Sequence, residues 1–352
     1  MTFDGRSVVD LADLASALRA PGALEELAHA DEPLVVTRLD NHAALDDVAM
    51  SRLVDDLGVV RAITVAILDE PIGLRLEHLA AAFDIVLADP DLGSLVAVPS
   101  PDHGAAIAAI GAGAGANPQA AVALAQLLRI GAWEDVAAGL AAESFVYSML
   151  QSGSEFAAWL AERGPATVPP DPEPPVLVTR TDGHLTVTFN RPHRANAVTA
   201  AVRDALVEAL TLADADPTIE AVSLRGAGAS FSSGGDLAEF GSLPDPAAAH
   251  AIRTTRSPAW WVHRVGARTR AHLHGAAIGA GIELAAFAGT ILAAPDTRIR
   301  LPEVAMGLVP GAGGTVSLTR RIGRPRTCFL ALTGRELDAA EALAWGIVDR
   351  LV

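Results

Sequence analysis

The chain has 352 residues, 51% of them hydrophobic, with one cysteine (Cys328), no lysine and a net charge of −16 at pH 7. A lone cysteine excludes an internal disulfide or a cysteine-rich zinc site, and the missing lysine excludes Schiff-base chemistry. With no basic leader segment and no clean apolar span, the composition points to a cytoplasmic protein, and no metal is expected.

The charge is uneven. Residues 1–174 carry 26 acids and 8 arginines (−18), and residues 175–352 carry 16 acids and 18 arginines (+2). An acidic first half disfavours nucleic acid or an anionic membrane as a partner; the second half suits a polyanionic small molecule held by arginine. The length predicts two domains. In the first block, residues 34–39, 63–68 and 85–88 read as strands, and residues 117–163 are almost wholly helical and amphipathic from Trp133 to Leu160. Residues 165–175 hold six prolines in eleven positions, which predicts a semi-rigid linker between domains at 1–164 and 176–352.

The second block opens on strands at 176–180 and 185–190 around Asp182-Gly183, a hairpin signal. Thr199 is an N-cap candidate, followed by Val202, Leu206, Leu210 and Ala213 at helical spacing. Strands at 221–225, 269–273 and 290–293 alternate with helical stretches at 278–288 and 336–345. That alternation predicts an α/β fold. Residues 72–91 and 278–296 read alike after one inserted residue, which indicates duplication of one unit.

Two loops carry chemistry. Phe231-Ser232-Ser233-Gly234-Gly235-Asp236 and His274-Gly275-Ala276-Ala277-Ile278-Gly279-Ala280-Gly281-Ile282-Glu283 each follow a strand and leave N–H groups free at a turn. Two such groups aimed at one oxygen form an oxyanion hole. Glycine also serves α/β turns for steric reasons alone, and neither loop matches a P-loop or dinucleotide fingerprint. Glu283 and Glu303 both sit among apolar residues, as a structural cap would or as an acid/base with a raised pKa.

With these motifs the second block resembles the crotonase, or enoyl-CoA hydratase/isomerase, family. Its further markers are Asn190-Arg191-Pro192 with Asn196-Ala197, Leu301-Pro302-Glu303, residues 307–314 and Leu332-Thr333-Gly334. The resemblance implies a spiral of ββα turns, preceded here by a degenerate crotonase-like α/β half with a helical cap. It implies oxyanion-hole donors at the N–H groups of Ser233 and Ala280 and paired hydratase carboxylates at Glu283 and Glu303. An acyl-CoA thioester would bind near Arg194, Ala195, Ala197, Gly234, Gly235, Asp236, Gly279 and Gly311, with no cofactor beyond the coenzyme A of the substrate. The implied reaction is hydration of a trans-2-enoyl-CoA in fatty acid metabolism. The alternatives are double-bond isomerisation, another acyl-CoA transformation, or a non-catalytic acyl-CoA-binding or assembly subunit. A homo-oligomer, trimer or hexamer, is expected as in the family.

The sequence also departs from the family. Arg270 and His272 stand where small or apolar residues are expected, and Gly289 where aspartate is common. Trp260-Trp261 would line an acyl pocket, cover a core edge or meet another subunit. The first block lacks both loops, and Val98 occupies the position matching Glu303, so it is expected to be inactive. The sequence ends at Leu351-Val352, where the family continues with about three more helices of ordinary length. Residues 117–163 resemble that tail, and they are expected to cap the second block of the same chain or of a neighbour, burying Val136, Leu140, Phe145, Met149, Phe156, Trp159 and Leu160.

Overall fold

The structure, a computed structural model, describes residues 8–28, 31, 33–40, 45–92, 97–243 and 245–352. It forms two compact units: Met1–Ile130 with Gly323–Thr333, and Gly131–Ile322 with Gly334–Val352. The units therefore do not divide at the proline-rich segment, and residues 131–163 belong to the second.

The first unit is a parallel sheet of β1 (Val8–Val9), β2 (Leu34–Arg38), β3 (Ile63–Leu68), β4 (Ile85–Ala88) and β5 (Val98–Pro99), in sequence order. Every residue of β3 (ITVAIL) is buried, the pattern of a parallel strand covered on both faces. The connecting helices are α1 (Leu11–Ala17), α2 (Ala23–Ala28), α3 (Asp47–Val59) and α4 (Leu74–Ala80), and α5 (His103–Ala116) and α6 (Pro118–Arg129) follow the last strand. Asp46 caps α3 by accepting from Ala49 N, and Asp102 caps α5 by accepting from Ala105 N. Inside, Asp84 accepts from Thr64 N and Oγ1 at 2.8 Å each and from Arg129 Nε at 2.8 Å. This is a buried ion pair whose lone pairs are satisfied. Residues 323–333 join this unit: Arg324 donates to Phe83 O and Arg326 to Ala97 O, and Cys328 is buried.

The second unit opens with α7 (Val136–Gln151) and α8 (Ser154–Arg163). Then come the hairpin β6 (Val176–Thr181) and β7 (His184–Phe189), α9 (Ala200–Ala215), β8 (Ala221–Gly226), α10 (Pro246–Thr255) and α11 (Pro258–Arg264). β9 (Thr269–Leu273), β10 (Ala276–Ile278), α12 (Ala280–Ala285), β11 (Thr290–Ala293) and β12 (Arg298–Arg300) follow. The chain closes with α13 (Gly314–Thr333), β13 (Leu337–Asp338), α14 (Ala339–Trp345) and β14 (Arg350–Leu351). One sheet runs β14-β11-β9-β8-β7-β6, parallel except for the hairpin; a smaller one runs β10-β12-β13.

Alternation in β7 puts Leu185, Val187 and Phe189 in the core, and α9, capped by Thr199 as expected, buries Val202, Leu206, Leu210 and Ala213. The helix read at 278–288 is shorter, because β10 runs to Ile278 and Gly279 turns the chain at φ +49 into a six-residue helix. The stretch at 336–345 opens as β13, and only from Ala339 is it helical. Both copies of the repeat fold as a short helix followed by a strand, α4–β4 and α12–β11. α13 breaks at Gly323 (φ +80), two residues before Pro325. On α7 and α8, Val136 and Phe156 are buried, but Phe145 and Met149 are exposed, against expectation. Phe145 instead stacks on His250 with ring centroids 4.2 Å apart. Among the described residues no single helix is long and apolar enough to cross a membrane.

Candidate functional site

A cavity of about 300 Å³ in the second unit is walled by α7, the 311–313 turn, α10, the start of α12 and the loop around Gly235. Glu283 and Glu303 both face it, 1% and 7% exposed. Glu283 rides on α12, and its Oε2 accepts from Ala312 N (2.7 Å) and Gly314 N (2.9 Å). Gly314 is required there: a Cβ would lie 2.6 Å from Glu283 Cγ. Burial pushes the Glu283 carboxyl up to about 7, while the two N–H groups pull it back.

Glu303 begins the short 3-10 turn Glu303–Met306. Its Oε2 is buried with no hydrogen-bond partner among the described residues, and its Oε1 lies against the bare α-carbon of Gly279, where a Cβ would sit 2.5 Å away. Burial first, and then the neighbouring Glu283 and Glu143, hold its pKa well above the usual carboxylate range. Two carboxyls thus face one cavity in different settings: one takes two backbone donors from the 312–314 turn, and the other is pushed toward its neutral form by burial and the neighbouring acids.

Ala280 is the first residue of α12 and lines the cavity. Its N–H, an orphan donor of the helix start, has no acceptor among the described residues. The expected partner donor is different from the one read in the sequence. Ser233 N–H already donates to Ala195 O at 2.9 Å, and Ser233 does not line the cavity. Gly235 does, and its N–H has no acceptor among the described residues. The reason is the local pairing: Val198 bridges Gly235 through Val198 N→Gly234 O and Asp236 N→Val198 O, so the Gly235 N–H is the one left over.

Of the other expected binding residues, Asp236 and Gly311 line the cavity, whereas Arg194, Ala195, Ala197, Gly234 and Gly279 do not. Arg191 is fully buried and organises this rim, donating to Asp171 (2.6 Å), Ala197 O (2.7 Å) and Asp236 (3.0 Å). Arg194 is partly exposed, and its guanidinium meets Asp236 at 3.3 Å. Against the cost of burial, the Ala238 N–H and the two arginines hold the Asp236 carboxyl below its ordinary value. Trp260, Trp261 and His272 all lie outside the cavity. His272 meets Ser223 and Arg225 at 3.4 Å; burial, then Arg225 and Arg270, push it down to about 4.

The sequence reading missed three residues in the wall: Glu143, Tyr147 and Arg253. Glu143 is 2% exposed. The Tyr147 ring lies on Gly311, and Arg253 stacks over that ring at 4.7 Å. A signal existed: Val136, Leu140, Glu143 and Tyr147 follow one helical stripe, and Glu143 is the single charge on it. Among the described residues no cluster of side chains could hold a metal ion.

Comparison with known proteins fits this arrangement. Residues 179–352 match the family model described as enoyl-CoA hydratase/isomerase. A Mycobacterium tuberculosis protein named "Probable enoyl-CoA hydratase" is 36% identical over 178 residues, covering 50% of this chain and 68% of that protein. The 2,3-dehydroadipyl-CoA hydratase of Escherichia coli is 33% identical over 177 residues, covering 49% and 68%. Among solved structures, an enoyl-CoA hydratase of Mycobacterium smegmatis aligns at 32% identity and TM-score 0.48 over 51% of this chain and 70% of its own. On the sequence matches, the chain belongs to the enoyl-CoA hydratase/isomerase (crotonase) family of enzymes.

Proposed function

We propose that the second unit hydrates a trans-2-enoyl-CoA to a 3-hydroxyacyl-CoA. The observation that carries this reading is the pair of buried carboxyls on one cavity, Glu283 held by two N–H donors and Glu303 with its Oε2 unpartnered among the described residues. The thioester oxygen would accept from Ala280 N–H and Gly235 N–H, which bind it more tightly as it gains enolate charge. Glu283, ionised, takes a proton from water as the water oxygen bonds to the β-carbon. The Cα=Cβ π pair moves toward the carbonyl, and Glu303 delivers its proton to the α-carbon. Return of the proton from Glu283 to Glu303 resets the site, so one water is added across the double bond and nothing else is consumed. The coenzyme A phosphates would meet Arg194, whose loose contact to Asp236 leaves its donors available.

The test is the loss of enoyl-thioester absorbance for a panel of trans-2-enoyl-CoA substrates, with product analysis separating hydration from double-bond migration. Glu303→Gln should lower kcat by at least ~100-fold with affinity little changed. Equal turnover by Glu303→Gln and wild type would remove Glu303 from the chemistry. No turnover by wild type at all would favour a binding subunit.

A further inference from the structure

Four consecutive N–H groups in the turn before α13 point alternately at two carboxyls. Ala312 and Gly314 donate to Glu283 Oε2 (2.7 and 2.9 Å). Gly313 donates to Glu143 Oε1 (2.7 Å), and Thr315 donates to Glu143 Oε2 through both N (3.0 Å) and Oγ1 (2.6 Å). The turn is thus strapped from both sides, and Glu143 comes from α7, outside residues 179–352 that match the family model.

We propose that Glu143 is a positioning residue for the hydration reaction: it holds the 312–315 turn in the one orientation that aims the Ala312 and Gly314 N–H groups at Glu283. The inference rests on the hydration reading for its kinetic consequence, though not for the geometry. A glycine pair at 313–314, with Gly313 at φ +101, has little stiffness of its own. If Glu143 lets go of Gly313 and Thr315, the turn can rotate, and Glu283 loses its Ala312 and Gly314 donors. Glu143 lines the same cavity, and each of its oxygens accepts from the turn, Oε1 from Gly313 and Oε2 from Thr315.

The groups that face Glu143 are Glu283 from α12, Glu303 from the 3-10 turn, Tyr147 on α7 itself, Arg253 from α10 and Thr315 at the start of α13. Burial and then the neighbouring Glu283 push Glu143 up to about 8, against donation from Thr315 and Gly313. The Glu283 shift comes from burial and from the Ala312 and Gly314 N–H groups, so removing Glu143 acts on it through the clamp.

The experiment compares wild type, Glu143→Met and Glu143→Gln in the full chain, with trans-2-butenoyl-CoA as probe. Methionine keeps the volume without an acceptor. Glutamine with its carbonyl turned to Thr315 keeps an acceptor for both Thr315 N and Oγ1, two of the three donors. Glu143→Met should lose on the order of 100-fold in kcat, the scale of a misplaced catalytic group, with KM within about threefold. The acid limb of its kcat/KM profile should rise by at least about half a pH unit, because Glu283 no longer has its N–H donors. Glu143→Gln should restore kcat to within about fivefold and return the limb. An unmoved limb in Glu143→Met, whatever its kcat, would overturn the proposal, and so would a Glu143→Gln variant as impaired as Glu143→Met. Substrate-free infrared titration of the carboxyl bands, with Glu283→Gln identifying the Glu283 band, reads the same shift without turnover. A wild type that hydrates nothing would sink the hydration reading and leave this measurement to decide the clamp.

Discussion

Glu283→Gln should separate stability from activity in a pH-dependent way. The Glu283 carboxyl lies at about 7 in the folded protein against 4.5 for an ordinary glutamate, with burial as the main cause. A folded pKa above the unfolded one contributes stability that is fully present below about 4.5 and is lost as pH rises through about 7. At 1.36 kcal/mol per pH unit that interval is worth about 3 kcal/mol. Between about pH 5 and about pH 8, wild type should therefore lose roughly 2 kcal/mol that Glu283→Gln does not lose. Glutamine has no proton to exchange, and its carbonyl can still accept from Ala312 and Gly314. Urea unfolding followed by tryptophan fluorescence makes the measurement local, since all five tryptophans lie in the second unit. Hydration should meanwhile fall by ~100-fold or more, because the water loses its base. If wild type and variant lose stability in parallel over that range, the burial argument for Glu283 is wrong.

Three other outcomes are expected. Ala280→Pro removes an N–H from the first helical position, which proline tolerates, so the protein should fold by circular dichroism yet lose at least ~100-fold in kcat; Ala280→Gly should stay within a few-fold. Gly235→Ala places a Cβ 2.8 Å from the Phe240 ring, so Phe240 must move; the expected readout is a raised KM for the enoyl thioester, and an unchanged KM would separate Gly235 from the site. Arg191→Leu strands the carboxylates of Asp171 and Asp236 that it now pairs, and urea unfolding should show a loss on the order of 3–5 kcal/mol.

Much of the second unit was legible because its signals are local. Asp182-Gly183 marks a hairpin through its own backbone, with Asp182 at φ +51, and Thr199 caps α9 through its own hydroxyl. Glu283 and Glu303 could be paired from their motifs, and the strands at 269–273 and 290–293, like 63–68 and 85–88 in the first unit, have the read bounds. What was misread depends on distant partners. Ser233 and Gly235 are equally good donors in sequence; only the pairing of Val198 with the loop decides which N–H is spent. Glu143 is an acid on a helix until Gly313 and Thr315, 170 residues away or more, are brought to it. The boundary at the proline-rich segment followed composition, but Asp171 within it is tied to Arg191, so that stretch is anchored to the core.

The placement of residues 323–333 in the first unit bears on how the polypeptide matures on the ribosome. That unit's sheet is finished by residue 99, yet the helix end that brings Arg324 to Phe83 O and Arg326 to Ala97 O is translated more than 200 residues later. A nascent chain that has emerged through the proline-rich segment therefore holds an N-terminal sheet still short of its closing helix. Emergence of residue 333 completes the first unit, while the second still awaits residues 334–352. Synthesis order thus leaves the first unit open while more than 200 residues are translated, so a chaperone acting on this protein would meet its uncovered apolar surface throughout that interval.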